Sequence, residues 1–305
     1  MLDPILIRQL PPEEMTGERP SFSPVIIGGE DVSDPVSLSS PIYIGKLPGT
    51  PSMQRQGELA GYAISRDSLY VPTSNMSLEG CFALWTPTRE GMVAGALQKA
   101  RGVEIWTTDV MYEGELPVVF PHVEVGVGLS SHIELLREAT EYRVPITVRI
   151  SGGIVYKQVA AAMEAGADAV VVSVHDTLLT PHPLGLMGLF PPAARAMHDS
   201  GGKKRGAKLM VEGEFSSGAD ILKALAMGAD LVGVTSPSLD ALEEGKLAEF
   251  MTSIEKECLF LMGLSGHLSQ ETLSADDLVA VDYNTATATG LKIVGYEKEL
   301  PLWLH

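Results

Sequence analysis

One charged side chain stands inside an otherwise apolar strand pattern. Arg149 lies between Val148 and Ile150, near the end of a run that predicts a buried β-strand. A buried guanidinium is costly unless an anion or a carboxylate pairs with it. Two interpretations follow. Arg149 stabilises negative charge on a bound ligand, or it forms a structural ion pair with Glu104 or Glu212.

A histidine and an aspartate follow the next apolar run, 169–173. His175 titrates near neutral pH and can act as an acid or a base, with Asp176 orienting it. Both are therefore candidate catalytic residues, beside the arginine. The alternative for His175 is a loop histidine that caps the next turn. A metal site that adds His122 and His182 is not predicted, because the spacing matches no known signature.

The elements that must position these side chains repeat along 145–236. Each unit is an apolar strand, a turn of small residues and a helix, and two of the helices end in Gly-Ala-Asp, at 166–168 and 228–230. Strands rich in Val and Ile on both faces belong to buried parallel sheets. Alternation with helical patterns of about 10–15 residues is typical of βαβ units. The predicted fold class is α/β.

Similar strand patterns precede this stretch, which gives about eight strands in βα order and predicts a closed (β/α)8 TIM barrel. The barrel is expected over 41–264. The predicted strands are 41–45, 68–72, 81–85, 103–108, 145–151, 169–173, 207–213 and 231–236.

The flanks of the barrel are less regular. Residues 1–40 predict an N-terminal arm with one strand candidate, Val25–Ile27, and 265–305 predict a C-terminal helical tail packed on the barrel. A longer excursion over 109–129 interrupts the alternation, and one helix is expected over 239–264.

The net charge of −17 over 305 residues disfavours nucleic acid and anionic membranes as partners, because either would repel the chain. The two cysteines, Cys81 and Cys258, have no metal-ligand spacing and predict free thiols in a reducing cytoplasm. The chain begins with no signal-peptide pattern, and no apolar run approaches the ~18 residues that span a bilayer.

The ends of the last two barrel strands favour an anion. In (β/α)8 barrels a phosphate commonly binds between these loops, at the N-terminus of a short helix. Gly213 and Gly233 allow close approach of the backbone, and Thr235 and Ser236 add hydroxyl donors. Alternatively, the glycines only permit tight strand ends. Glu212 would repel a phosphate unless its carboxylate points elsewhere.

The order of these motifs resembles the FMN-binding barrel of the glutamate synthase large subunit and the wider family of FMN-linked TIM barrels. The likeness is best over 145–236 and weaker over 41–110. Arg149 stands where the family has a lysine beside the flavin. Four family motifs have counterparts: Ile-Gly-Lys-Leu-Pro at 44–48, Ser-Val-His-Asp at 173–176, Val-Glu-Gly at 211–213 and Val-Gly-Val-Thr-Ser at 232–236.

The resemblance implies FMN as the cofactor and a glutamate-synthase-like oxidoreductase acting on a small imine or amine. With FMN across the strand ends, the implied cofactor-binding residues are Gly45, Ser74, Arg149, Ser173, Gly213, Gly233, Thr235 and Ser236. The family's cysteine-rich iron–sulfur segment has no counterpart after the last strand, so no such cluster is expected. Electrons would then come from a nicotinamide cofactor or a partner subunit. We also predict a homo-oligomer.

Other departures leave two alternatives open. The family's Gly-Glu-Gly-Gly loop is replaced by Asn-Met-Ser at 75–77, its third-strand glutamine by Ala83, and its polar fourth-strand positions fall near Trp106 and Asp109. Trp85 and Trp106 either stack on a planar ligand or fill the space that a lost cofactor left. If the cofactor has been lost, the chain is a flavin-free binding or scaffold subunit, or a flavin-free enzyme acting on a phosphorylated metabolite.

Overall fold

The computed structural model describes most of the chain, with gaps in several loops. The described residues are 2–11, 14, 17–47, 49, 51–73, 81–85, 94–113, 116–121, 127–150, 154–173 and 186–296; of residues 85, 94–96, 108–113, 116–121, 127 and 186 only the backbone is described.

Strands and helices alternate through most of the described chain. The strands are β1 (Ile5–Ile7), β2 (Val25–Ile27), β3 (Val36–Leu38), β4 (Ile42–Ile44), β5 (Phe82–Trp85), β6 (Gly102–Trp106), β7 (Thr108–Glu113), β8 (Leu116–Pro121), β9 (Ile146–Ile150), β10 (Ala169–Ser173), β11 (Lys208–Gly213), β12 (Leu231–Val234) and β13 (Leu278–Ala280). The helices are α1 (Met53–Ser65), α2 (Ala94–Lys99), α3 (Val127–Ala139), α4 (Val155–Glu164), α5 (Leu186–Asp199), α6 (Gly218–Ala226), α7 (Ser236–Glu243), α8 (Leu247–Leu264) and α9 (Tyr283–Thr289).

Seven parallel strands form one curled sheet in the order β4-β12-β11-β10-β9-β6-β5. The free edge of β4 pairs with the predicted second strand. The N–H of Ile44 donates to the carbonyl of Leu69 at 3.0 Å, and the N–H of Val71 donates to the carbonyl of Ile44 at 3.2 Å. This short segment occupies the eighth position of the barrel.

Alternation of side chains along the strands separates two hydrophobic layers. Outward residues such as Val148, Val170 and Val232 pack with the helices in one large cluster. Inward residues such as Val171 and Met210 belong to a second cluster inside the barrel. Because each barrel strand is covered on both faces, its sequence reads as a continuous apolar run.

The repeated Gly-Ala-Asp endings have a structural cause. Their first glycines, at 166 and 228, have φ angles of +91° and +107°, in the left-handed region that favours glycine. Asp168 Oδ2 accepts a hydrogen bond from the N–H of Ile146 at 2.8 Å. Asp230 Oδ2 accepts one from the N–H of Leu209 at 2.7 Å. Each aspartate therefore ties the start of its own strand to the start of the preceding one.

We expect Asp168→Ala to lower the free energy of unfolding by about 1–3 kcal/mol, because two buried or half-buried donors lose their acceptor. These are the N–H of Ile146 and the guanidinium of Arg137, 3.3 Å from the carboxylate. Urea denaturation measures the loss. The control is Asp34→Ala, since that carboxylate is 69% exposed and lies 3.9 Å from Arg143. Equal losses in the two variants would contradict this role.

The N-terminal arm closes the amino end of the barrel. Strands β2 and β3 form an antiparallel hairpin. Its side chains Val25, Ile27, Val36 and Leu38 share a hydrophobic cluster with residues inside the barrel. Strand β1 pairs with β13, which joins the arm to the C-terminal tail. The division into an arm, a barrel and a tail stays a prediction.

Several details differ from the sequence-based predictions. The arm contains β1 and β3 besides the predicted Val25–Ile27, and part of the 109–129 excursion is an antiparallel hairpin of β7 and β8. The prediction of a single helix over 239–264 is wrong. Two helices, α7 and α8, are separated at Gly245, whose φ of +71° ends the first of them.

None of the described helices is long and apolar enough to cross a membrane.

Candidate functional site

The carboxyl ends of parallel barrel strands lie at one end of the barrel, which we call the barrel mouth. It brings together residues that are far apart in sequence. The described ones are Gly45 and Lys46 after β4, Trp106 at the end of β6, Arg149 in β9, Ser173 at the end of β10, Glu212 and Gly213 in β11, and Thr235 and Ser236 after β12.

Arg149 forms ion pairs inside the barrel with both carboxylates that the sequence offered as structural partners. Its Nε lies 2.7 Å from Glu104 Oε1. Its Nη1 and Nη2 donate to Glu212 Oε2 and Oε1 at 2.6 and 2.9 Å, a bidentate contact. The arginine side chain is 2% exposed and both glutamates are 0% exposed. Two carboxylates thus share one buried guanidinium through different N–H groups.

Two aromatic residues also belong to this network. The hydroxyl of Tyr43 donates to Glu212 Oε1 at 3.0 Å, and Trp106 Nε1 donates to Glu104 Oε1 at 2.7 Å. We call Tyr43, Glu104, Trp106, Arg149 and Glu212 the barrel cluster. It connects β4, β6, β9 and β11 across the interior just below the mouth.

The burial of the barrel cluster changes its titration. Desolvation raises the pKa of Glu104, and the charge of Glu212 raises it further, against the opposing effect of Arg149. Desolvation also raises the pKa of Tyr43 well above its usual value, followed by the effect of Glu212. The tyrosine hydroxyl therefore keeps its proton and stays a hydrogen-bond donor to Glu212.

Two glycines assigned to the cofactor in the sequence analysis make room for Glu212. A Cβ atom on Gly45 would lie 2.8 Å from Glu212 Cδ. A Cβ atom on Gly233 would lie 2.7 Å from Glu212 Cγ and 2.7 Å from Tyr43 Cζ. Neither separation is tolerated between carbon atoms, so both positions need glycine for the barrel cluster to pack.

The corner between β11 and β12 contains the residues predicted to bind a phosphate. Thr235 is the N-cap residue of α7, and its N–H donates to the carbonyl of Gly213 at 3.1 Å. Ser236 opens the helix, and its hydroxyl lies 3.4 Å from Glu214 Oε1. The Glu212 carboxylate points into the barrel, where Arg149 compensates its charge, so it does not face this corner.

The mouth also contains a lysine that the sequence analysis did not single out. The Nζ atom of Lys46 lies 3.8 Å from the centroid of the Trp106 ring, a cation–π contact. Trp106 is 5% exposed. In the described structure this indole is in contact with Lys46 on its face and with Glu104 at its edge. The signal in the sequence was the position of Lys46, two residues after a barrel strand.

The remaining predicted site residues are only partly placed. Ser173 is buried and stands beside Glu212 in the pairing of β10 with β11. Ser74, His175 and Asp176 lie outside the described residues, as do His122 and His182 and the side chain of Trp85. Within the described ranges, no group of three or more His, Cys, Asp or Glu side chains can hold a metal.

Tyr43 and Lys46 were missed as site residues for different reasons. Tyr43 looks like an ordinary apolar position of the first strand, and only the inward direction of its side chain makes it part of the barrel cluster. A search for polar or aromatic residues at alternate positions of each strand would have found it. Lys46 appeared only as part of the motif at 44–48.

A protein-family comparison matches residues 127–280, about half of the chain, to the family described as FMN-dependent dehydrogenase. The matched stretch begins at α3 and ends at β13, so it includes β9, β10, β11 and β12.

Curated relatives match between about a third and two fifths of the chain. A glutamate synthase large subunit-like protein of Rhizobium meliloti is 36% identical over 115 residues, 35% of this chain and 26% of the relative. An archaeal glutamate synthase [NADPH] of Archaeoglobus fulgidus is 31% identical over 127 residues, 37% and 24%. An L-lactate oxidase of Lactobacillus jensenii is 29% identical over 125 residues, 40% and 29%. The matches thus span about a quarter of each relative.

Solved structures share the fold over most of the chain. A mandelate oxidase variant with a monooxide FMN adduct has a TM-score of 0.65 at 17% identity, covering 89% of this chain and 87% of that one. A monotopic membrane (S)-mandelate dehydrogenase has a TM-score of 0.65 at 18% identity, covering 90% and 88%. At such identities the likeness concerns the fold, and it confirms the predicted TIM barrel.

Proposed function

The chain belongs to the FMN-dependent dehydrogenase family, and we propose that it is an FMN-dependent oxidoreductase of glutamate-synthase type acting on a small imine or amine. The predicted relation to the FMN-binding domain of glutamate synthase is confirmed by the family match and by the glutamate synthase relatives. FMN as the family's cofactor is confirmed with it. The substrate and the reaction direction are part of the proposal.

One observation carries this proposal. The family match covers the half of the barrel that contains most of the predicted cofactor-binding residues. These are Arg149, Ser173, Gly213, Gly233, Thr235 and Ser236, which the strands β9 to β12 bring to one end of the barrel. The family match and these predicted residues therefore fall in the same part of the chain, which supports the proposal.

We assign the phosphate of FMN to the corner between β11 and β12. The N-terminus of α7 carries a partial positive charge, and the N–H of Ser236 stands in its first turn, where Pro237 has none. Ser236 adds a hydroxyl group, Thr235 is fully buried at the N-cap of the helix, and Gly213 leaves the strand end without a side chain. Glu212 does not oppose the phosphate, because Arg149 holds its carboxylate inside the barrel. The acidic neighbour that remains is Glu214, which contacts Ser236.

We assign the flavin ring to the mouth above the barrel cluster. When bound, FMN supplies hydride transfer. In this arrangement Trp106 and Arg149 form the floor of the site, and Arg149 is fixed in one orientation by its two carboxylates. Its positive charge is already compensated, so its role is to position the floor more than to attract an anion. His175 and Asp176 remain proposed acid and base residues.

The same contacts favour a second candidate. Arg149 forms ion pairs with Glu104 and Glu212, and Lys46 lies over the indole of Trp106. Such an arrangement suits a barrel that has given up flavin chemistry and serves as a binding or scaffold subunit. The two candidates differ in one property, the retention of FMN.

Absorbance of the purified protein, repeated after incubation with FMN and desalting, tests the proposal. Oxidised FMN gives bands near ~375 and ~450 nm that belong to the cofactor itself. Retained bands are expected, and a colourless protein that retains no added FMN would favour the scaffold candidate.

We expect Ser236→Glu to weaken FMN binding by at least about tenfold, or ~1.4 kcal/mol, because a carboxylate would face the phosphate. A carboxylate in the first turn of α7 is compatible with the helix dipole, so the fold is expected to tolerate it. The matched control is Ser253→Glu on the exposed face of α8. Fluorescence titration with FMN measures both, and equal affinities would place the phosphate elsewhere.

The partners belong to the proposal as well. We propose a small-molecule substrate, a homo-oligomer, and electrons supplied by a nicotinamide cofactor or a partner subunit. The need for such an electron source follows from the sequence, since β12 leads directly into α7 with no cysteine-rich segment.

A cytoplasmic location remains a prediction that rests on the free and buried Cys81 and Cys258. Burial raises the pKa of each thiol to about 12, which makes both unreactive.

A further inference from the structure

The two glutamates of the barrel cluster are bonded unequally. In Glu212 both carboxylate oxygens accept hydrogen bonds, Oε1 from Tyr43 and Arg149 and Oε2 from Arg149. In Glu104 one oxygen, Oε1, accepts from both Trp106 and Arg149. The other oxygen, Glu104 Oε2, is buried and has no hydrogen-bond partner. One carboxylate of the pair is therefore saturated and the other is half-bonded.

The charges of the cluster do not balance if both glutamates are ionised. Glu104 forms an ion pair with Arg149 of β9, and it interacts through its charge with Glu212 of β11 and with Tyr43 of β4, whose hydroxyl is neutral. The next described cation is Lys46, whose Nζ atom lies 3.8 Å from the centroid of the Trp106 ring and belongs to no ion pair with either glutamate among the described contacts. Among the described residues that bond to one another here, two carboxylates and one guanidinium then carry a net charge of −1 at buried positions, which is strongly unfavourable.

We propose that Glu104 carries a proton on Oε2 at neutral pH, so that the barrel cluster is electrically neutral. Its Oε1 atom remains an acceptor for Trp106 and Arg149, so the proton removes the excess charge and breaks no hydrogen bond. A buried neutral hydroxyl without an acceptor costs less than a charged buried carboxylate oxygen without a donor. The proton is assigned to Glu104 because Glu212 has no oxygen left without a donor.

The direction of the pKa shift of Glu104 supports this assignment. Desolvation, reinforced by Glu212, raises the pKa of Glu104 above that of an ordinary glutamate. The folded protein then holds a proton that the unfolded chain releases above its own pKa of ~4.3. Stability from this group is present at low pH and is lost as the pH rises toward the folded pKa. Between the two pKa values the folding equilibrium constant falls about tenfold per pH unit.

The proton site lies under the barrel mouth, which gives it a consequence for ligands. A positive charge bound above the barrel cluster would favour release of the proton from Glu104, and a negative charge would favour its retention. The inference rests on the barrel cluster alone and is tested without FMN, so it does not depend on the proposed function.

Glu104→Gln tests the proposal, because glutamine is a neutral group of the same shape. The folding equilibrium constant of the natural protein is expected to fall about tenfold per pH unit relative to that of Glu104→Gln between pH ~5.5 and ~7.5. Chemical denaturation at several pH values measures both. If Glu104 is ionised, the two proteins will show parallel pH dependence and Glu104→Gln will be the less stable at every pH.

Infrared spectroscopy of the natural protein tests the same point without a variant. A carboxylic-acid C=O stretching band is expected at neutral pH, and it should shift when glutamate carries a carbon-13 carboxyl label. The control Glu212→Gln leaves one carboxylate with Arg149, so Glu104 should then ionise and the band should disappear. A spectrum of the natural protein with no such band, or a band that survives in Glu104→Gln, would overturn the proposal.

Discussion

Replacing Arg149 with methionine is expected to lower the free energy of unfolding by about 3–5 kcal/mol at pH 8, the usual cost of leaving a buried ion pair without one partner. The variant removes the only described cation that contacts Glu104 and Glu212, both 0% exposed. Methionine fills a similar volume, so the loss reports the uncompensated charge more than a cavity. Chemical denaturation measures it.

The pH dependence of the same variant separates charge from packing. Without Arg149 both carboxyl groups are expected to bind protons in the folded state, so the deficit should shrink at pH ~5, where neutral carboxyls are less costly. The control is Arg55→Met, whose guanidinium is 48% exposed beside Glu243. An exposed pair of this kind is worth at most ~1 kcal/mol. A deficit of Arg149→Met that is small, or equal at both pH values, would mean that the guanidinium does not neutralise the barrel cluster.

The barrel itself was predictable because its strands carry an unusually clear signal. Over 145–236 the strands are covered on both faces and read as continuous apolar runs, and β9, β10 and β11 fall within about one residue of their predicted bounds. The Gly-Ala-Asp endings marked the starts of β10 and β12. These features are local in sequence, so no knowledge of long-range contacts was needed.

The elements that were missed depend on distant partners. Strand β1 is three residues long and pairs with β13 near the other end of the chain. No alternation is visible in three residues, so only the pairing defines the strand. The break between α7 and α8 depends on one glycine, Gly245, in an otherwise helical pattern. An isolated glycine lowers confidence in a helix but does not by itself end it.

The ion pairs of Arg149 show the limit for the site. The sequence identified a buried charge that needed a partner and named Glu104 and Glu212 as alternatives. The structure has both, because β6 is adjacent to β9 while Glu212 reaches across from β11, beyond β10. Contacts across a barrel interior depend on strand stagger, which the sequence of one strand does not reveal.

Gly233 is the position where the two interpretations of the mouth give different experimental results. Its Cβ atom would lie 2.7 Å from Glu212 Cγ and 2.7 Å from Tyr43 Cζ, both fully buried. We expect Gly233→Ala to lower the free energy of unfolding by about 1–3 kcal/mol, the usual cost of overpacking. The loss should appear in protein that contains no FMN. A glycine needed only for close approach of a phosphate would weaken FMN binding and leave the stability unchanged.

A second glycine, Gly45, tests whether contact with Glu212 causes the loss of stability expected for Gly233→Ala. The Cβ atom of an alanine at Gly45 meets the same side chain, at 2.8 Å from Glu212 Cδ. Once one alanine has displaced Glu212, the second finds less to displace, so the double variant should lose less than the sum of the single losses. The control is Gly61→Ala in α1, where no atom lies within 4 Å of the new Cβ. There alanine should stabilise the helix by about 0.5–1 kcal/mol. Additive losses at Gly45 and Gly233 would show that the two glycines act independently of Glu212, and the barrel cluster would then not explain them.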